Sequence, residues 1–215
     1  MTHAEGPMRD RIREIATNML IRDGYQGFRF QDVANALNTT RTNLHYHFGN
    51  KEALCEEVIV DYVDRTYSRF ESIWHAESTL EDKILGMLEY NRERYLKYNP
   101  DGNTAQPWSL IARMRLEREL VGSRAREGLL QFSARLEHLV TQGIATAVRH
   151  RELRQDAPVE DIALQLVAIA NSANPITQDA GSFERLEHLY RAFARIVSHA
   201  YGLKKPAGRL RAVRA

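Results

Sequence analysis

Apolar residues recur at helical spacing through almost the whole chain, and this one pattern removes most fold classes. Nine runs carry it, at about 7–22, 30–37, 41–47, 51–76, 79–98, 107–120, 124–150, 158–172 and 182–203. No stretch alternates apolar and polar residues between hairpin turns, so no sheet is expected. Prolines at 7, 100, 107, 158, 175 and 206 fall at breaks between runs. The expected fold is all-α: an N-terminal three-helix unit with a helix-turn-helix, followed by a larger helical region, about nine helices in total.

Local signals place the ends of these helices. Asp23-Gly24 closes the first. Asn38 stands where the chain needs a left-handed turn, which Asn tolerates. Thr40 is a good N-cap for the third helix and Asn50 for the fourth. Pro107 suits the first turn of the sixth, and Pro175 to Gly181 reads as a connection. The eighth run is apolar on nearly every side (Val159, Ile162, Ala163, Leu164, Leu166, Val167, Ile169, Ala170), and the ninth has a wide apolar stripe. Such helices are either central to a core or paired with another chain.

Composition narrows the function. With 43% hydrophobic and 27% charged residues, the 215-residue chain has the make-up of a soluble globular protein. Its one cysteine, Cys55, makes no internal disulfide, and eight scattered histidines show no metal-ligand spacing. No run approaches the roughly 18 apolar residues of a membrane span, and Met1 to Pro7 lacks the apolar stretch of a signal peptide. A cytoplasmic location, without membrane, metal or cofactor, is therefore expected. There is no Gly-rich phosphate loop, Gly-x-Ser-x-Gly or His-Glu-x-x-His, so an enzyme is not expected. A helical enzyme with an incidental hairpin and an adaptor with a vestigial head are the competing readings. The net charge of +2 hides an asymmetry. Residues 1–51 carry +2, 52–203 carry −5, and the tail 204–215 carries +5. Basic ends around an acidic middle suit a polyanion partner, and the tail reads as disordered.

Residues 30–48 are the most informative. Two short helices flank a turn of about three residues, with Val33, Ala34, Leu37, Leu44 and Phe48 facing inward, which is the helix-turn-helix layout. The second helix then presents Thr40, Arg41, Thr42, Asn43, His45 and Tyr46 outward. Arg can fork onto guanine and Asn onto adenine, while the helix N-terminus favours phosphate. The alternative reading is a small helical hairpin with a solvated face.

The run Leu44-His45-Tyr46-His47-Phe48, followed by Lys51-Glu52-Ala53-Leu54, resembles the signature of the TetR/AcrR family of bacterial one-component regulators. Upstream, Gly24-Tyr25, Gly27 and Asp32-Val33-Ala34 fit the same family's first two helices, so the likeness spans roughly residues 20–55. The sequence departs from the family pattern at Asn38, where Gly is usual, at Phe28-Arg29, where Ser or Thr usually caps the second helix, and at His45, where an aromatic is usual. The resemblance implies a DNA-binding unit over 1–50, with a ligand-sensing and dimerisation unit over 51–203. It implies that Thr40, Arg41, Thr42, Asn43, His45 and Tyr46 enter or flank the major groove. His47 and Lys51 would hold backbone phosphate, with Arg29 replacing the lost hydroxyl contact. For His47 the other reading is a packed histidine beside Phe48. The implied protein is a homodimeric repressor, paired through about 158–172 and 182–203, bound to a palindromic operator and released by a small-molecule inducer. Tyr62, Thr66, Asn91, Tyr95, Trp108, Met114 and Phe132 are the candidate walls of an inducer pocket, most of which also suit plain core. Asn91, on the apolar face of its helix, needs a polar partner, either a ligand or a neighbouring group.

Overall fold

The computed structural model describes residues 5–203. All regular structure among them is helical: α1 Glu5–Gly27, α2 Phe30–Ala36, α3 Arg41–Phe48, α4 Lys51–His75, α5 Leu80–Tyr98, α6 Leu110–Leu116, α7 Ser123–Arg149, α8 Val159–Asn171, α9 Ala173–Ala180 and α10 Glu184–Tyr201, with a short 3-10 turn at Arg118–Leu120. The count is ten α-helices where about nine were expected. The extra helix, α9, occupies the span read as a connection. Pro175 misled that reading: as the third residue of the helix it lacks an N–H that would have had no intrahelical partner. The basic tail, 204–215, lies outside the described residues.

Two helix boundaries and one buried face differ further from expectation. α1 runs on past Gly24, but Gly24 itself has φ 74° and ψ −179°, so the helix is broken there as Asp23-Gly24 implied. α6 begins at Leu110 rather than Pro107, because the Ser109 side chain caps it by accepting the N–H of Ala112. On α4, Ile59, Val63 and Trp74 are buried while Tyr62 and Ile73 are only half-buried. The helix packs against α7 on one side and α1 on another, so its buried face is wider than one stripe. Gly143 on α7 admits this packing: a Cβ there would stand 2.1 Å from the Trp74 ring.

One continuous apolar core runs from Ile12 and Leu20 of α1 through Leu54 and Ile59 of α4 to Leu136, Leu166 and Tyr190. α4 is the spine that belongs to both ends. The last two long helices, α8 and α10, pack on each other and leave Leu164 (55% exposed), Leu189 and Ile196 (65% exposed) uncovered.

Candidate nucleic-acid interface and the cavity behind it

The helix-turn-helix is fixed by short-range bonds. Leu37 ends α2, and Asn38 takes the left-handed conformation (φ 50°). The N–H of Thr39 then returns to the Ala34 carbonyl at 2.9 Å. Thr40 caps α3 by accepting the Asn43 N–H at 3.2 Å, and Asn50 caps α4 by accepting the Ala53 N–H at 2.8 Å. Gly49 (φ 75°) makes the sharp stop between them. Arg29 caps α2 only through its backbone, so the side-chain cap is indeed missing. Phe30, Val33, Ala34, Leu44 and Phe48 are buried under the motif.

The outer face of α3 is set by that frame. Thr40, Arg41, Thr42, His45 and Tyr46 are exposed, Tyr46 at 74%, and Arg29 is exposed beside them. His45 rests its ring on Phe30, with centroids 5.1 Å apart, and its Nδ1 meets the Gly49 carbonyl. A carbonyl only accepts, so Nδ1 carries the hydrogen. Asn43 is half-buried and donates its amide to Thr39 Oγ1 at 3.0 Å. His47 is also half-buried, its ring edge-on to Tyr46 at 5.3 Å and 6.5 Å from Phe48. Lys51 holds its ammonium 4.4 Å above the Tyr25 ring at the start of α4. The expected contact residues therefore lie together on α3 and the adjoining ends of α2 and α4.

Sequence reasoning missed what braces this face from behind. Arg9 of α1 stacks on Phe48 at 4.2 Å, donates to the His47 carbonyl and pairs with Glu57 of α4. Its sequence signal is a charge in register with the apolar stripe of α1, three residues before Ile12 and seven before Ala16.

A second unforeseen set ties α6 to the end of α1. Arg113 pairs with Glu117, four residues on, at 3.1 Å. Arg113 also donates to the Asp23 carbonyl at 3.3 Å, and Glu117 accepts the Gln26 N–H at 3.0 Å. Arg113 Nε is buried without a partner among the described residues.

The other side of α6 faces a small, partly open cavity of about 30 Å³, room for little more than one water molecule. Of the candidate pocket walls, Thr66, Asn91, Trp108 and Phe132 line it, together with Arg94, Arg115, Asn171 and Asn174. Tyr62 lies on a neighbouring surface cleft, whereas Tyr95 and Met114 are fully buried in core away from the cavity wall. Asn91 finds its partner in Tyr190, to whose hydroxyl it donates at 3.1 Å. The helix that sequence reading missed supplies one wall. Asn174 of α9 accepts the N–H groups of Trp108 and Ser109 at 3.0 and 3.2 Å, and Thr177 accepts the Trp108 indole N–H at 2.8 Å.

These features define a class: a helical protein with a helix-turn-helix at one end and a small cavity in its body. Residues 12–58 match the family described as bacterial regulatory proteins, tetR family. The likeness to that family therefore rests on this N-terminal helix-turn-helix unit. It is 27% identical over 80 residues, 37% of its length, to the HTH-type transcriptional repressor KstR2 of Mycolicibacterium smegmatis, and the match spans 39% of that repressor. Solved structures share the fold over nearly full length. A TetR-family regulator from Agrobacterium tumefaciens superposes with a TM-score of 0.77 at 14% identity, covering 90% of this chain and 98% of that one. A putative transcriptional regulator from Saccharomonospora viridis in complex with choline gives 0.71 at 19% identity, covering 93% and 100%. No helix among the described residues is long and apolar enough to cross a membrane.

Proposed function

We propose that the protein is a homodimeric repressor that binds a roughly palindromic DNA operator and releases it when a small molecule enters the body. The observation that carries this is the outward face of α3, where Arg41, Thr42 and Tyr46 stand exposed on a rigidly capped frame. In this reading residues 1–50 bind DNA, while 51–203 pair and sense. Arg41 forks onto a guanine edge, and Asn43 reads adenine after giving up its bond to Thr39. Thr40, Thr42, His45 and Tyr46 line the groove, while Arg29, His47 and Lys51 hold phosphates. Such contacts make affinity fall steeply with salt.

Two reading heads require two chains. The exposed Leu164, Leu189 and Ile196 on α8 and α10 supply an apolar face for a second copy. Twofold symmetry then sets the half-sites about one DNA turn, roughly 34 Å, or somewhat more apart. The small-molecule response is supported by the position of α6. Ile111, Ala112 and Arg115 touch the cavity, while Arg113 and Glu117 on the same two turns hold α1 at Asp23 and Gln26. A ligand larger than the 30 Å³ cavity must displace this wall, and the displacement reaches the helix-turn-helix through α1. The bound choline in the S. viridis regulator shows that a protein of this fold can hold a small ligand.

Selection of bound duplexes from random DNA with the full chain tests the reading. A recovered sequence with inverted half-sites supports it. Recovery of no consensus from repeated selections would count against it.

A further inference from the structure

Among the described residues the cavity is lined by two arginines and no acid. Arg94 of α5 and Arg115 of α6 both line it, and the other lining residues are Thr, Ser, Asn, aromatic or aliphatic. Neither arginine forms an ion pair among the described residues. Arg94 donates to the Tyr62 hydroxyl and, at 3.4 Å, to Ser109 Oγ, and lies 5.2 Å from each of the Tyr62, Tyr90 and Trp108 rings. Arg115 donates to Asn171 Oδ1 at 2.9 Å and Ser133 Oγ at 2.7 Å, over the Phe132 ring. All of these partners are neutral.

The acids on the outer side of Arg94 are already taken. Asp61 pairs with Arg65 at 2.6 Å, Asp10 with Arg13 at 2.5 Å, and Glu14 with Lys97 at 3.7 Å. Burial lowers the pKa of Arg115, while at Arg94 burial is outweighed by the surrounding Tyr62 and Tyr90, which raise it. Guanidinium groups withdrawn from water beside neutral partners retain capacity for an anion, and their fork matches a carboxylate.

The geometry points to an organic carboxylate as the effector, its acid group held by Arg94 and Arg115 and its apolar body against Phe70, Trp108, Phe132 and Leu136. This rests on the effector reading above and names the chemistry of that same cavity. An anion drawn between α5 and α6 also loads the wall that grips α1, so binding and DNA release share one displacement.

The test uses the full-length chain, with octanoate and phenylacetate as carboxylate probes and octanol and phenylacetamide as their neutral counterparts. Binding is read by calorimetry, and release of the selected operator duplex by fluorescence anisotropy. The expected result is binding and release by at least one carboxylate and by neither neutral partner. Arg94→Met and Arg115→Met should each weaken carboxylate binding about tenfold or more while operator affinity without ligand is unchanged. Thermal melts separate ligand capture from a structural role. Loss of an uncompensated charge leaves Tm unchanged or raised, whereas a purely structural arginine gives a lower Tm, which would overturn the proposal. Should either variant fail to fold, Arg94→Lys and Arg115→Lys, which keep the charge and lose the fork, take its place. Binding of the neutral probes with equal affinity overturns the carboxylate and leaves the effector reading standing. Binding of no probe, with DNA binding intact, overturns the carboxylate proposal too. Failure of the wild-type chain to bind any DNA removes the reading on which it rests.

Discussion

Glu117 of α6 accepts the backbone N–H of Gln26 at 3.0 Å while pairing with Arg113 at 3.1 Å, so a single carboxylate joins the body of the molecule to the end of its first helix. Gly24 makes this approach possible. A Cβ there would lie 2.2 Å from the Glu117 carboxylate, and its φ of 74° with ψ near 180° is a conformation essentially restricted to glycine. The Gly24→Ala variant should therefore lose about 1–3 kcal/mol of stability, measured by urea unfolding. An unchanged midpoint would mean that the joint between α1 and α6 is looser than described.

Removing the carboxylate itself tests the coupling. Glu117→Ala leaves Arg113 without its ion-pair partner and Gln26 without its acceptor. A loss of roughly 1.5–3 kcal/mol is expected, the range for hydrogen bonds to charged groups. In the same variant, effector-driven release of DNA should weaken more than effector binding does. Parallel calorimetry and anisotropy titrations separate the two, and an intact release response would place the coupling elsewhere.

Stability should fall on the acid side partly through Glu187. Hydrogen bonds from Arg92 and Arg191 hold its pKa below the usual carboxylate range. Its contribution is therefore complete above the unfolded-state pKa and disappears as pH falls through the lowered folded value. Glu187→Gln should lower Tm near neutral pH and converge with wild type at the most acid pH. A constant offset at all pH values would contradict this.

Cys55 is buried, and burial pushes its thiol pKa up to about 12. The thiolate fraction at neutral pH is negligible, so thiol reagents should modify it only after unfolding. Rapid labelling of the native protein, followed by absorbance, would show that α4 opens where it joins the two ends of the molecule.

Much of this was legible in the sequence because it depends on neighbours along the chain. Thr40, Asn50 and Asn38 act within a few residues of themselves, so the helix-turn-helix and its exposed face could be read directly. What escaped depends on distant partners. Arg94 and Arg115 gain their meaning only when α5, α6, α7 and α9 surround one space, and no local spacing records that. α9 was hidden by Pro175, whose place in a first turn cannot be told from its place in a loop by residue type alone. Asn174 and Thr177, which hold Trp108, were lost with it.

The proposed pairing face can be broken without touching the core. Leu164→Asp with Ile196→Asp places charges on the exposed apolar surface of α8 and α10. Sedimentation velocity should show the mass halving, with helical circular dichroism retained. A wild-type chain that sediments as a monomer at micromolar concentration would remove this interface from the account.

The proposed DNA-reading surface is the outer face of α3, and its role is measured by an anisotropy titration of the selected operator against Arg41→Ala with Asn43→Ala. Each bidentate base contact contributes roughly 1–3 kcal/mol of discrimination. The double variant should therefore lose on the order of a hundredfold in specific affinity, while its helicity and oligomeric state match wild type. Operator affinity within a few-fold of wild type would contradict DNA reading by this face.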